Sequence, residues 1–179
     1  RLATFNPRGN DVPVILDLMI HDLDIILSLV NAKIYDIKAN GVKVVSKTAD
    51  IANVRLEFEN GCIANLTASR ISQKQMRKMR LFQKNNYVAI DFQKGALDIY
   101  KVCHNKPDNT KTNKVMEIGS DNKKYILYNR PAIKKHDALK EELRHFIHSI
   151  QHDIMPETDG ASAIKALRLG LEIDKLIKI

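Results

Sequence analysis

The chain has 179 residues, 44% of them hydrophobic and 28% charged, with a formal net charge of +8. That composition is of a soluble globular protein and argues against disorder, while no apolar run approaches the roughly 20 residues that span a bilayer. Since globular domains average about 100 to 200 residues, one domain over 1–179 is expected.

The opening RLATFNPRGN has no apolar h-region, so no secretory signal is expected, and the start at Arg1 without an initiator Met suggests a processed chain or a fragment. Cys62 and Cys103 are far apart and form no C-x-x-C. Neither a disulfide framework nor a zinc site is indicated, and a reducing cytoplasm fits.

Asp11 to Val30 reads as a helix, with Asp11 as N-cap and Pro13 in the first turn. The period then changes. NVRLEFE alternates, placing Val54, Leu56 and Phe58 on a covered face and Arg55, Glu57 and Glu59 on the other. Asn60-Gly61 predicts a two-residue turn, after which CIANLTASRI returns with Asn65, Thr67 and Ser69 on the polar face. MRKMRLFQ, YVAIDFQ and ALDIYKV continue an antiparallel meander, with turn signals at Asn85-Asn86 and Lys94-Gly95. The polar stretch from His104 to Asn122 reads as a long excursion, followed by a strand at Tyr125 to Tyr128.

Two helices close the chain. In DALKEELRHFIHSI, Leu139, Leu143, Phe146, Ile147 and Ile150 fall on one stripe. His145, His148 and His152 share the opposite face, which reads as solvated rather than as a metal site. In the last helix Ile164, Leu167 and Leu171 form one stripe and Leu169, Ile173 and Leu176 another, so cover on two sides is expected. Helix, antiparallel strands, then helices is an α+β order, predicting an open-faced, mostly antiparallel sheet with helices on one face.

The excess positive charge permits an acidic partner. Arg70, Lys74, Arg77, Lys78, Arg80 and Lys84 lie in RISQKQMRKMRLFQK with no acidic residue among them and only Phe82 to stack on a base. The segment reads as a solvated hairpin face, and no nucleic-acid partner is expected. Binding through it would weaken steeply with salt.

The first helix poses the functional question. At about 100° per residue, Asp17, His21, Asp24 and Ser28 fall near 0°, 40°, 340° and 20°, one narrow strip on an otherwise apolar helix broken only by Asp22. Buried carboxylates persist when paired, hydrogen-bonded or useful. Three readings fit the strip: an ordinary i,i+4 surface pair, metal ligands on one face, or a general acid/base His21 oriented by Asp17 beside a substrate pocket. The third accounts best for the surrounding apolar residues, and no metal is expected.

DVPVILDLMIHDLDIILSLV, DIANVRLEFENGCIANLTASR, LKEELRHFIHSIQ and PETDGASAIKALRLGLEI together resemble, in order and over nearly the whole chain, the C-terminal domain of the Gfo/Idh/MocA oxidoreductases, a dihydrodipicolinate-reductase-like fold. The resemblance implies a substrate and oligomerisation domain whose D-x-x-x-H corresponds to Asp17 and His21. His21 would take a proton from a sugar hydroxyl, Asp17 would orient substrate or imidazole, and Asp24 would support substrate binding.

The resemblance also implies NAD or NADP in a full-length parent, a sugar, cyclitol or nucleotide-sugar substrate, and a homodimer or homotetramer through the sheet. This chain has neither G-x-G-x-x-G nor the family's Glu-Lys-Pro. The N-terminal Rossmann domain is therefore taken to lie outside it, with no cofactor bound by this fragment alone and no turnover. The rival reading is a non-catalytic sugar-binding or assembly protein on the same fold.

Overall fold

A computed structural model describes residues 1–7, 11–107, 113–119, 123–134 and 136–178. Two compact units are distinguished, one of residues 1–75 with 141–179 and one of 76–140.

In the first unit β1 (Ile34–Val42), β2 (Ile51–Phe58) and β3 (Ile63–Ser69) form an antiparallel sheet in that order. β2 alternates as its sequence predicts: Ala52, Val54, Leu56 and Phe58 are buried, while Asn53 is exposed. Leu66 and Ala68 of β3 extend the same apolar face. Burial of these side chains removes apolar area from water, worth roughly 1.5–3 kcal/mol for each large one.

The turn between β2 and β3 differs from the expected two-residue form. Phe58 N–H donates to Cys62 O, Gly61 N–H donates to Phe58 O, and Gly61 alone takes a positive φ, of 80°. The loop is the three-residue Glu59–Gly61, in which only the third position needs left-handed backbone. Asn60 Oδ1 accepts from the Cys62 amide instead. Ser69 also departs from the polar face. It is buried, because residues 1–3 run beside the end of β3: Ser69 N–H donates to Arg1 O and Ala3 N–H to Ser69 O.

The apolar face of this sheet is covered by helices. A π turn (Ile15–Met19) leads into α1 (Ile20–Leu29), and α3 (Gly160–Leu176) packs beside them. Val14, Ile15, Met19, Leu23, Leu169, Ile173 and Ile177 form one core with the strands. Two glycines permit the close approach. A Cβ on Gly170 would stand 2.9 Å from Leu16 Cδ2, and one on Gly41 would stand 2.7 Å from Ile177 Cγ2. α3 begins at Asp159, whose side chain accepts from Ser162 N–H at 2.7 Å.

α3 is covered on one side. Leu169 and Ile173 are buried, whereas Ile164, Leu167, Leu171 and Leu176 are exposed. In α2 (Ala138–His152) the apolar stripe is 53–66% exposed, and Ser149 is the buried residue. Helical spacing identifies the stripe but not what lies against it.

In the second unit β4 (Lys78–Gln83), β5 (Asn86–Asp91), β6 (Ala96–Cys103), β7 (Asn113–Ile118) and β8 (Lys124–Asn129) form an antiparallel sheet in the order β4-β5-β6-β8-β7. The expected α+β class and antiparallel pairing hold, and the strands are divided between two ladders. β7 lies inside the stretch expected to be an excursion. Its six residues alternate too briefly to stand out, and pairing with β8 creates the strand. Other parts of that excursion, 108–112 and 120–122, lie outside the described residues.

Candidate functional site

The first helix does not start at Asp11, which is exposed in a turn. Helical structure begins at Val14, without a side-chain cap. The Val14 amide instead donates to Ala49 O at 2.9 Å. That bond ties the helix start to the loop between β1 and β2.

The loop is organised around Asp50, which is fully buried. Its Oδ2 accepts from the amides of Val44, Val45 and Ser46 at 2.7, 2.8 and 3.0 Å, and its Oδ1 accepts from Ser46 Oγ at 2.7 Å and Arg70 Nε at 3.0 Å. Burial by itself would raise this carboxyl's pKa, but the hydroxyl and amide of Ser46 and the amides of Val45 and Val44 outweigh it and hold the group well below the usual carboxylate range. Arg70 Nη2 also donates to Thr48 Oγ1 and Ala49 O, both at 2.9 Å. The carbonyl that receives Val14 is therefore also held by Arg70. Arg70, expected on a solvated basic face, is a buried half of an ion pair because the strand register brings residue 69 opposite residue 51.

The helix held in this way carries the polar strip. Through the π turn the Ile20 amide donates to Ile15 O, a five-residue spacing that inserts one residue into the helical ladder. Asp17 lies within this turn, so the uniform 100° step does not run unbroken from Asp17 to Ser28. Asp17 and His21 are exposed, and Asp24 is half-buried. Among the described residues their side chains make no hydrogen bond or ion pair, and Asp17 does not bond His21. Ser28 Oγ turns back to Ile25 O at 2.8 Å.

The helix is buried on the opposite side through Ile15, Met19 and Leu23. Asp17, His21 and Asp24 thus form a row of polar side chains uncommitted among the described residues, on a helix whose other side lies in the core. Asp22, the off-strip acid, has a structural partner. Arg1 grips it through Nη2 to Oδ1 at 2.9 Å and Nε to Oδ2 at 3.2 Å.

Other candidate ligands do not converge. His145, His148 and His152 are exposed on α2; the last two rings lie 4.0 Å apart, and His152 Nδ1 contacts His148 O at 2.9 Å. No group of three or more metal-ligating side chains occurs among the described residues. Cys62 and Cys103 are free thiols.

The profile of the GFO/IDH/MocA C-terminal domain matches residues 4–98. The chain belongs to this family. It is 34% identical over 173 residues to the UDP-N-acetylglucosamine 3-dehydrogenase of Acidithiobacillus ferrooxidans, covering 97% of this chain and 51% of that protein. A solved structure of that enzyme superposes with a TM-score of 0.82 at 33% identity, over 99% of this chain and 52% of the other. An NAD-binding protein from Listeria innocua shares the fold alone, with a TM-score of 0.68 at 15% identity over 97% of this chain and 51% of its own. The chain thus spans about half the length of the curated relative it matches.

The dinucleotide implied for such oxidoreductases does not fit the described residues of this chain. Dinucleotide sites use a parallel strand, a Gly-rich turn and a helix N-terminus. Here both described sheets are antiparallel, and the two close-packed glycines, Gly41 and Gly170, face Ile177 and Leu16.

No described helix is long and apolar enough to cross a membrane.

Proposed function

We propose that this family domain is the substrate-binding and proton-transferring part of an NAD(P)-dependent dehydrogenase acting on a sugar, cyclitol or nucleotide-linked sugar, with the dinucleotide held outside these 179 residues. The observation that carries the reading is His21 on a helix buried on its other side, free of side-chain partners among the described residues, in a chain one-third identical to a sugar-nucleotide 3-dehydrogenase.

In this role His21 receives the proton of the substrate hydroxyl being oxidised. A neutral imidazole is suited to it because one ring nitrogen offers a lone pair that can accept the proton. Asp17 and Asp24 accept hydrogen bonds from neighbouring sugar hydroxyls, since neither is committed to another side chain among the described residues. The Asp50–Arg70 pair is not catalytic. It positions the helix through Ala49 O and the Val14 amide.

We place the protein in the cytoplasm and assign it a homo-oligomer built through the polar sheet face. That face presents a row in which Tyr35 Oη donates to Glu57 Oε2 at 2.6 Å, Arg55 Nε donates to Glu57 Oε1 at 2.7 Å, and Arg55 Nη1 donates to Asn65 Oδ1 at 3.4 Å. A monomer at high concentration in light scattering would remove the oligomer from the reading.

The direct test is His21→Ala in the full-length protein. Loss of a general base is expected to lower kcat by about 10²–10⁴-fold while substrate affinity changes little. Turnover near that of the parent would overturn the role.

A further inference from the structure

The helical segment that carries Asp17 and His21 is anchored at both ends by two consecutive residues, Ser69 and Arg70, at the end of β3. Arg70 holds Ala49 O, which receives the Val14 amide, and so fixes the start of the segment. Ser69 fixes the other end through residues 1–3. Its N–H donates to Arg1 O at 3.0 Å, Ala3 N–H donates to Ser69 O at 2.8 Å, and Ser72 N–H donates to Ala3 O at 3.0 Å, so that Leu2 lies parallel to the end of β3. Backbone bonding on both sides of Leu2 gives Arg1 a fixed origin, and its guanidinium reaches across to α1.

The contact there is a fork. Nη2 donates to Asp22 Oδ1 at 2.9 Å and Nε to Oδ2 at 3.2 Å, with the two side chains 9% and 19% exposed. A planar guanidinium bonded to both carboxylate oxygens fixes direction as well as distance, which a single ammonium contact does not. Asp22 directly follows His21 and precedes Leu23, which is fully buried. Any rotation of α1 about its axis at this point carries the imidazole with it. Between the two anchors lies the π turn Ile15–Met19, whose inserted residue sets the azimuth of Asp17 relative to His21.

We infer that Arg1 is a positioning residue for His21: its fork to Asp22 fixes the rotation of α1 and, with Arg70 at the opposite end, holds the π turn between two anchors. The inference rests on the reading of His21 as proton acceptor. Without the fork, relaxation toward regular four-residue spacing turns α1 and moves the imidazole away from the hydroxyl it serves.

The test is a double-substitution cycle in the full-length protein, read by steady-state kinetics on one substrate. Arg1→Gln removes the charge and the fork. It is expected to lower kcat about 10–100-fold, as displacement of a reacting group does, with KM within about twofold of the parent. Placed on His21→Ala, the same substitution is expected to cause no further loss, because a residue acting through the imidazole then has nothing to place. Arg1→Lys keeps the charge on a single contact and should fall between the parent and Arg1→Gln. Hydrogen exchange of the same proteins supplies a reading independent of turnover: the Ile20 amide, which bonds across the π turn, should exchange faster in Arg1→Gln, while Val54 and Leu56 of β2 stay protected. Parental kcat in Arg1→Gln beside a slow His21→Ala overturns the positioning role and leaves the His21 assignment standing. An equal loss from Arg1→Gln with and without His21, or faster exchange throughout β2, also overturns it, since a general loss of structure then accounts for the effect. Parental turnover in His21→Ala overturns both.

Discussion

Arg70 and Asp50 meet at 3.0 Å with 4% and 0% of their surfaces exposed, and the same guanidinium holds the carbonyl that receives the first amide of the candidate catalytic helix. A buried ion pair is weak evidence of stability by itself, but breaking one by removing a partner leaves an uncompensated charge. Asp50→Ala strands Arg70 and frees three loop amides. It is expected to destabilise the chain by about 3 kcal/mol, measured by urea unfolding, and to lower turnover of the full-length protein through the helix start.

The same carboxyl sets a pH dependence. Its folded pKa is depressed, so its contribution is fully present above the unfolded value of about 3.9 and declines as pH falls toward the lower folded value. The stability difference between the parent and Asp50→Asn should be constant from pH 7 to about 5 and shrink below about 4. A difference that grows on acidification would contradict the assignment.

Two glycines should respond differently to the same change. At Gly41 an added methyl meets Ile177 Cγ2 at 2.7 Å and Ala49 Cβ at 3.3 Å, atoms attached at or next to fixed backbone. Gly41→Ala is expected to cost about 1–3 kcal/mol by overpacking. At Gly170 the nearest atom is the far end of Leu16, at 2.9 Å. Rotation of that side chain relieves the contact while alanine gains up to about 1 kcal/mol of helix propensity, so Gly170→Ala should be near neutral. Equilibrium unfolding of both variants distinguishes the two environments.

The exposed stripe of α2 predicts a third contrast. Leu143→Gln and Phe146→Gln remove apolar side chains that are more than half exposed. Their unfolding free energies should stay within about 0.5 kcal/mol of the parent, with less self-association in light scattering. Phe58→Ala, by contrast, empties a fully buried site and should cost about 3–5 kcal/mol.

On the strip itself, Asp17→Asn and Asp24→Asn preserve shape and remove charge. In the full-length protein each should raise KM more than it lowers kcat if it binds substrate hydroxyls, whereas His21→Ala should act on kcat. Steady-state kinetics on one substrate separate these patterns.

Alternation in NVRLEFE was enough to determine β2, its covered face and its hairpin with β3, because a period of two reports the pleat directly. The same holds for α3, with polar and apolar positions at helical spacing, and for the alignment that relates the chain to its family. Local periodicity, however, states which side chains share a face and not what stands opposite. Only the tertiary structure decided that Asp50 and Arg70, twenty residues apart, close on each other through strand register, that Arg1 occupies Asp22, and that the α2 stripe lies open. The π turn at Ile15–Met19, the strand β7 and the aromatic row from Phe82 to Tyr128 likewise depend on partners supplied by folding. Each is fixed by long-range packing and hydrogen bonding, for which no short stretch of residues carries the energy alone.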